Sequence, residues 1–268
     1  HILNVIDQEK LDEQRGVVQN EKRQGENQPY GQVFNAIGKA VFPKGHPYSW
    51  SVIGSMEDLN AATLDDVKEW FETYYGPTNA VIALAGDIDL ETAKIKVQEY
   101  FGDIQAGPPL TKPKKWIAKR TEQTREVMED NVPQTRIYKV WNVPEDGTAE
   151  AQALDLASST LAGSKNSPLY QELVYKTGLA TGVSAFYYGR EIAGLFIISA
   201  TVAPGQDVNE VENVIDATLQ KYLKTGPNSK LLKNTKTSTI AGLTNGLQRI
   251  GGFGGKSDIL ATYQTLYG

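Results

Sequence analysis

An α+β fold in two related domains, with a sheet that is at least partly antiparallel, is predicted for this chain of 268 residues. Three observations predict it. Segments with apolar residues at helical spacing alternate with short apolar runs of strand length. Strand signals at 183–188 and 195–201 flank the turn 189–194, which is the pattern of a hairpin. A unit of strand, acidic turn and helix occurs near 80–101 and again at 195–223, a weak internal repeat.

The elements follow from local chemistry. Thr63 and Asp66 form a capping box ahead of Val67, Trp70, Phe71 and Tyr74 at helical spacing, so 63–75 reads as an amphipathic helix. Gly76-Pro77-Thr78-Asn79 ends it. The apolar run 80–85 reads as a strand, 86–89 as a turn, and Asp89 as the N-cap of a helix to about Phe101. In the second half, 136–141 has strand composition, and 148–161 is an Ala-rich helix aligning Ala153, Leu154, Ala157 and Leu161. Pro168 opens a helix that reaches Lys176 and stops at Gly178. The strand 195–203 and turn 204–207 lead into a helix at 208–223 with Val211, Val214, Ile215 and Leu219 on one face. The prolines and lysines of 107–113 mark a solvated, semi-stiff linker. Domains at 1–106 and 121–268, joined by a linker at 107–120, are therefore expected.

Composition removes several function classes. The formal net charge of −5 disfavours a nucleic-acid partner, since the only basic cluster is Lys112-Pro113-Lys114-Lys115. No apolar run approaches the roughly 18 residues of a membrane span, and the start has no basic region ahead of an apolar one. Zero cysteines excludes thiol nucleophiles, disulfides and thiolate metal sites. Of the two histidines, His1 sits at a terminus expected to fray and His46 lies in a loop, with no second imidazole or thiolate to share a metal with it.

From its own residues, Gln14-Arg15-Gly16-Val17-Val18-Gln19-Asn20-Glu21-Lys22-Arg23 is a polar helix, a solvated charged face with Val17 and Val18 turned inward. The order Arg-x-x-Val-x-x-Glu within it, followed by the helix at 63–75, Gly76-Pro77-Thr78-Asn79 and the run 80–87, resembles the insulinase/pitrilysin family, or inverzincins. Ser167-Pro168-Leu169-Tyr170-Gln171-Glu172-Leu173 and Gly178-Leu179-Ala180 look like that family's second-domain helix and loop, so the resemblance covers nearly the whole chain.

The resemblance implies two similar domains, each a mostly antiparallel sheet with helices packed on one face. It implies zinc, held by two histidines of a His-x-x-Glu-His helix and by a glutamate on a later helix, where Glu21 stands. Such a site leaves one position for a water whose pKa the metal lowers. No His-x-x-Glu-His occurs in the sequence. The family places that motif several dozen residues ahead of the third ligand, so an N-terminally truncated piece, inactive by itself, is expected. Gln14 occupies a position often held by a glutamate that orients the site; its amide can hydrogen-bond but carries no charge. The family's substrate-clamping Arg and Tyr fall at Val174 and Thr181, which supply neither guanidinium nor phenol. A paralogous subunit or a further domain pair is implied as their source. The chain also stops at Gly268 where the family runs on through a helix and a closing strand, so an incomplete second domain with an open sheet edge is expected.

The function implied is a zinc-dependent endopeptidase hydrolysing peptides, with a non-catalytic structural or assembly subunit of the same family as the alternative. The periplasm or cell envelope is the suspected compartment. Other residues carry plainer readings. Trp50, Trp70, Trp116 and Trp141 are read as core or half-buried anchors, and Glu57 and Asp58 as solvated caps ahead of a helix. Tyr187, Tyr188 and Arg190 are read as a hairpin tip that could meet peptide. Gly255-Lys256-Ser257 imitates the end of a phosphate loop, but Ile250 stands where that motif needs Gly and 230–249 reads as a helix, so a hinge or recognition loop between two helices is preferred.

Overall fold

The structure is a computed structural model that describes residues 2–268, the side chain of Ile2 excepted. His1 lies outside the described residues. The chain divides into two compact units, one of residues 1–23, 53–113 and 240–268, the other of 24–52 and 114–239. The chain passes from the first to the second at 23–24 and again at 113–114.

The fold is α+β, and every strand among the described residues belongs to the second unit. Its sheet has the order β1-β3-β2, with β1 Arg136–Val143, β2 Ala180–Gly189 and β3 Gly194–Val202, all antiparallel. The central strand β3 is buried on both faces because side chains alternate along it. Phe196, Ile198, Ala200 and Val202 face one cluster with Ile137, Val183 and Ala185, while Ala193, Leu195 and Ile197 face the other with Tyr138, Val140 and Phe186.

The first cluster is closed by helices. They are α6 Ala149–Ala162 through Leu161, the segment α7 Pro168–Tyr170 continued by a π-turn Gln171–Lys176 through Leu169 and Leu173, and α8 Val208–Thr225 through Val211 and Ile215. The second cluster is closed by α2 Val33–Val41, an amphipathic helix presenting Ile37 and Val41, together with Phe42, Tyr48 and Ala118. The sheet is thus covered on both faces, by the α6–α8 layer and by α2 with its following loop.

Helix starts match their capping chemistry. Thr148 caps α6 and Asp207 caps α8, each through its side-chain oxygen to a first-turn N–H. On the α8 surface Arg125 pairs with Glu212 at 2.5 Å, and Lys139 of β1 lies 3.2 Å from Glu212 and 2.5 Å from Asp216. Arg125 first, and Lys139 after it, hold the Glu212 carboxyl below its ordinary 4.5 against a burial that would raise it. A lowered folded pKa contributes stability above the unfolded value and loses it as pH falls through the folded one. Glu212→Gln should therefore cost about 1 kcal/mol near neutral pH, and urea melts of variant and parent should converge as pH drops below 4.5.

The first unit is helical. It contains most of α1 Gln8–Glu26, then α3 Met56–Ala61, α4 Leu64–Tyr74, α5 Leu90–Phe101, the end of α9 Ser229–Gly246 and α10 Lys256–Tyr267. The Thr63–Asp66 capping box and the Asp89 cap form as expected. Each of these two acids is held below the usual carboxylate range, Asp66 first by the Thr63 hydroxyl and Asp89 first by the Thr92 N–H. The run 80–85 is not a strand, which corrects the first half of the predicted repeat. Strand sequence becomes a strand only when a ladder partner is present, and no described residue pairs with this one. Val81, Ile82 and Leu84 are accordingly exposed, as are Trp70, Tyr74, Ile95 and Tyr100 on α4 and α5. No apolar side chain of this unit is fully buried among the described residues.

Candidate functional site

Helix α1 carries both residues singled out for metal chemistry, Glu21 and Gln14. Its inward stripe is Leu11, Arg15, Val18 and Lys22, spaced so that all four share one side. Val17 falls roughly 140° from that stripe at 100° per residue and is 53% exposed, so the expectation that it turns inward is corrected. Gln14 and Glu21, seven residues apart, share another side and are both solvent-exposed. Arg15 sets the rotation of α1: its Nη1 donates to Leu59 O and, at 3.2 Å, to Asn60 O, and its Nη2 donates to Ala62 O at 2.7 Å. Gln19 adds a bond from Nε2 to Asn60 Oδ1 at 2.7 Å. These contacts satisfy carbonyls that the end of α3 leaves without helical partners. Gln14 also borders an apolar hollow of about 440 Å³ between α1 and the start of α4, lined by Leu11, Val18, Leu59 and Phe71.

His46 is a loop residue, as read, but a fully buried one. It caps a 3-10 turn, Pro47–Ser49, by accepting the Tyr48 N–H at Nδ1 (3.0 Å), which leaves Nε2–H to donate to Trp116 O at 2.8 Å. Its ring stacks on Phe42 at 4.3 Å and lies against Trp116 at 4.5 Å. Both nitrogens are committed, so His46 is built into the packing and offers no lone pair to a metal.

That cluster fastens a segment the sequence presents as solvated. Lys115 pairs with the buried Glu145, the Trp116 N–H donates to Ile192 O at 2.8 Å, Ala118 enters the second cluster, and Arg120 donates to Ala40 O. The Lys115 ammonium beside Glu145 holds its carboxyl below the usual range. Sequence reasoning missed this anchorage; the one available signal was the fixed turn that His46-Pro47 encodes. Trp50, Trp70, Trp116 and Trp141 range from 38% to 57% exposed, half-buried anchors at most. Glu57 and Asp58 lie inside the first turn of α3, whose cap is Ser55.

In the second unit, Val174 packs against the first core cluster, whereas Thr181 is exposed on β2 and donates from Oγ1 to Gln134 Oε1 at 3.3 Å. The hairpin tip is tied down: Tyr187 OH donates to Pro144 O at 2.9 Å. Gly189 and Gly194 make room for that ring, since an added Cβ would meet Tyr187 atoms at 2.5 Å and 2.9 Å. The Gly194→Ala variant should therefore lower the urea midpoint, by about 2 kcal/mol in stability.

The glycine-rich loop ahead of α10 is not a phosphate cradle. Gly252 and Gly254 take positive φ (75° and 71°), and the Gly254 N–H donates to the Asp258 carboxylate at 2.8 Å. The Lys256 and Ser257 N–H groups donate to the carbonyls of Arg249 and Ile250. The donors a phosphate would use are engaged, one of them by an anion.

The profile for the peptidase M16 inactive domain matches residues 61–239, about two thirds of the chain. The chain belongs to the peptidase M16 family. The insulinase-type resemblance read from Arg15, Val18, Glu21 and the second-half motif is thereby upheld. Curated relatives of this M16 chain include the zinc protease PqqE of Helicobacter pylori, 27% identical over 83% of the chain, and the uncharacterized zinc protease YmxG of Bacillus subtilis, 25% identical over 87%. The chain spans 50% and 56% of their lengths. Among solved structures, a protease from Helicobacter pylori matches with a TM-score of 0.83 at 24% identity, over 97% of this chain and 63% of that one. The peptidase M16 inactive domain from Pseudomonas fluorescens matches with a TM-score of 0.78 at 20% identity, over 88% of this chain and 57% of that one. At those identities the likeness is one of fold. The described residues of the M16 chain do not fit zinc by themselves: they contain no group of three metal-capable side chains, and both ring nitrogens of His46 are engaged. No helix among the described residues is long and apolar enough to cross a membrane.

Proposed function

We propose that this chain is the framework portion of a zinc endopeptidase acting on peptides, and that it hydrolyses nothing alone. The observation that carries the reading is His46. The one histidine in the described residues spends both ring nitrogens on the backbone of its own core. A zinc centre of the family's type needs two free imidazoles, and these must come from outside the described residues. Glu21 is proposed as the carboxylate this chain contributes, exposed on a helix whose rotation Arg15 fixes. Gln14, on the same side of α1, is proposed to orient its neighbourhood by hydrogen bonding.

The test supplies a His-x-x-Glu-His segment, by extending the chain or from a paralogue, and measures retained zinc by dialysis. Glu21→Gln should weaken zinc retention by more than about a hundredfold, above the roughly 10–100-fold cost of removing an outer hydrogen-bond partner. Unchanged retention would remove Glu21 from the site.

A second reading, a non-catalytic assembly subunit, is favoured by Val174, which is turned onto the core and cannot present a clamp to substrate. It predicts that no added His-x-x-Glu-His segment restores cleavage. The cell envelope is proposed as the compartment, and fractionation of the producing cells checks it.

A further inference from the structure

Arg190, at the turn between β2 and β3, is a cation without an anion. Its guanidinium lies 3.5 Å from the ring centre of Tyr48 and 5.2 Å and 5.7 Å from those of Tyr188 and Phe42. No carboxylate pairs with it among the described ion pairs, and its buried Nε has no hydrogen-bond partner. Burial lowers its pKa, an effect that the neighbouring Tyr188 and Tyr48 oppose. The backbone around it is fixed: Arg190 N donates to Ala193 O, Asp146 N donates to Arg190 O, and Ile192 N donates to the Tyr48 hydroxyl. That last bond leaves the Tyr48 O–H proton available beside the guanidinium.

A guanidinium stacked on an aromatic ring, held by a rigid turn and left without a counterion, is organised in advance to take a planar anion through its outer N–H groups. We propose that Arg190 and Tyr48 form a subsite for a peptide carboxylate. The net charge of −5 and the acidic neighbours Glu145, Asp146 and Glu191 disfavour a polyanion and suit a single negative charge. The choice of a peptide as the carrier rests on the peptidase reading above, whereas the carboxylate site rests on Arg190 alone.

The experiment follows the Arg190 Nε–H signal in ¹H–¹⁵N spectra of the whole chain during titration with acetate. In parallel, fluorescence anisotropy follows a labelled acidic peptide as the free acid, as the C-terminal amide, and with its Glu residues changed to Gln. Acetate should shift the signal, and one peptide change should weaken binding about tenfold, as expected for losing one charge-assisted contact. The amide or the Gln peptide identifies which carboxylate is read. Arg190→Met keeps the packing on Tyr48 and should abolish the discrimination, while Arg190→Lys should keep part of it. An acetate shift without peptide binding would leave the anion site standing and remove the peptide. No acetate shift, or an Arg190→Met variant that discriminates as the parent does, would overturn the proposal.

Discussion

His46→Ala is expected to destabilise the second unit by about 3 kcal/mol, more than a loop position would ordinarily carry. Two losses combine. The Tyr48 N–H and the Trp116 carbonyl each lose a partner in a place sealed from water, at roughly 1–3 kcal/mol per orphaned group when neither relaxes. The void left between Phe42 and Trp116 removes ring contacts on both sides. His46→Asn, which can keep one of the two bonds, should recover part of the loss. Urea denaturation followed by tryptophan emission reads both variants, because Trp116 sits on the imidazole. A cost below about 0.5 kcal/mol, the size of an ordinary surface change, would show that the loop is not fastened through this ring.

Ile197→Ala and Ile198→Ala should each cost about 3 kcal/mol, within the span found for such truncations in cores. Neighbours in sequence, they point to opposite faces of β3, Ile198 against α6–α8 and Ile197 against α2 and Phe42, and neither is exposed. The costs should differ in character. Ile198 lies in the larger cluster, where helices on three sides limit collapse into the cavity. Ile197 is covered by the short α2 and a loop, which can relax, so its value should be the smaller. Equal costs near zero at Ile197 would mean that 24–52 does not pack on this sheet.

Much of the fold is written in local chemistry. The Thr63–Asp66 box, the Asp89 and Asp207 caps, the α8 stripe and the 183–201 hairpin depend on residues near one another in sequence, and they form where local rules place them. What failed depends on partners far along the chain. The run 80–85 has strand composition, but composition cannot supply a neighbour to bond with. Val17 and Val18 look alike in sequence, and only the placement of Arg15 against 59–62 decides which one faces in. The burial of the loop residue His46 was not legible because the carbonyl that takes its Nε2–H belongs to Trp116, 70 residues away. The candidate site was legible only through resemblance, since Glu21 on an exposed helix has no local feature that distinguishes it from any solvated carboxylate.

The most direct measurement of the central claim takes the purified chain alone, dialysed against zinc. Metal per chain is read by elemental analysis, and hydrolysis of an unstructured peptide by mass spectrometry. A framework portion should hold no zinc in stoichiometric amount and leave the peptide intact, because Glu21 is the only proposed ligand and His46 is locked in the core. One zinc per chain, with peptide cleavage that Glu21→Gln abolishes, would contradict the account and place a complete catalytic centre within these 268 residues.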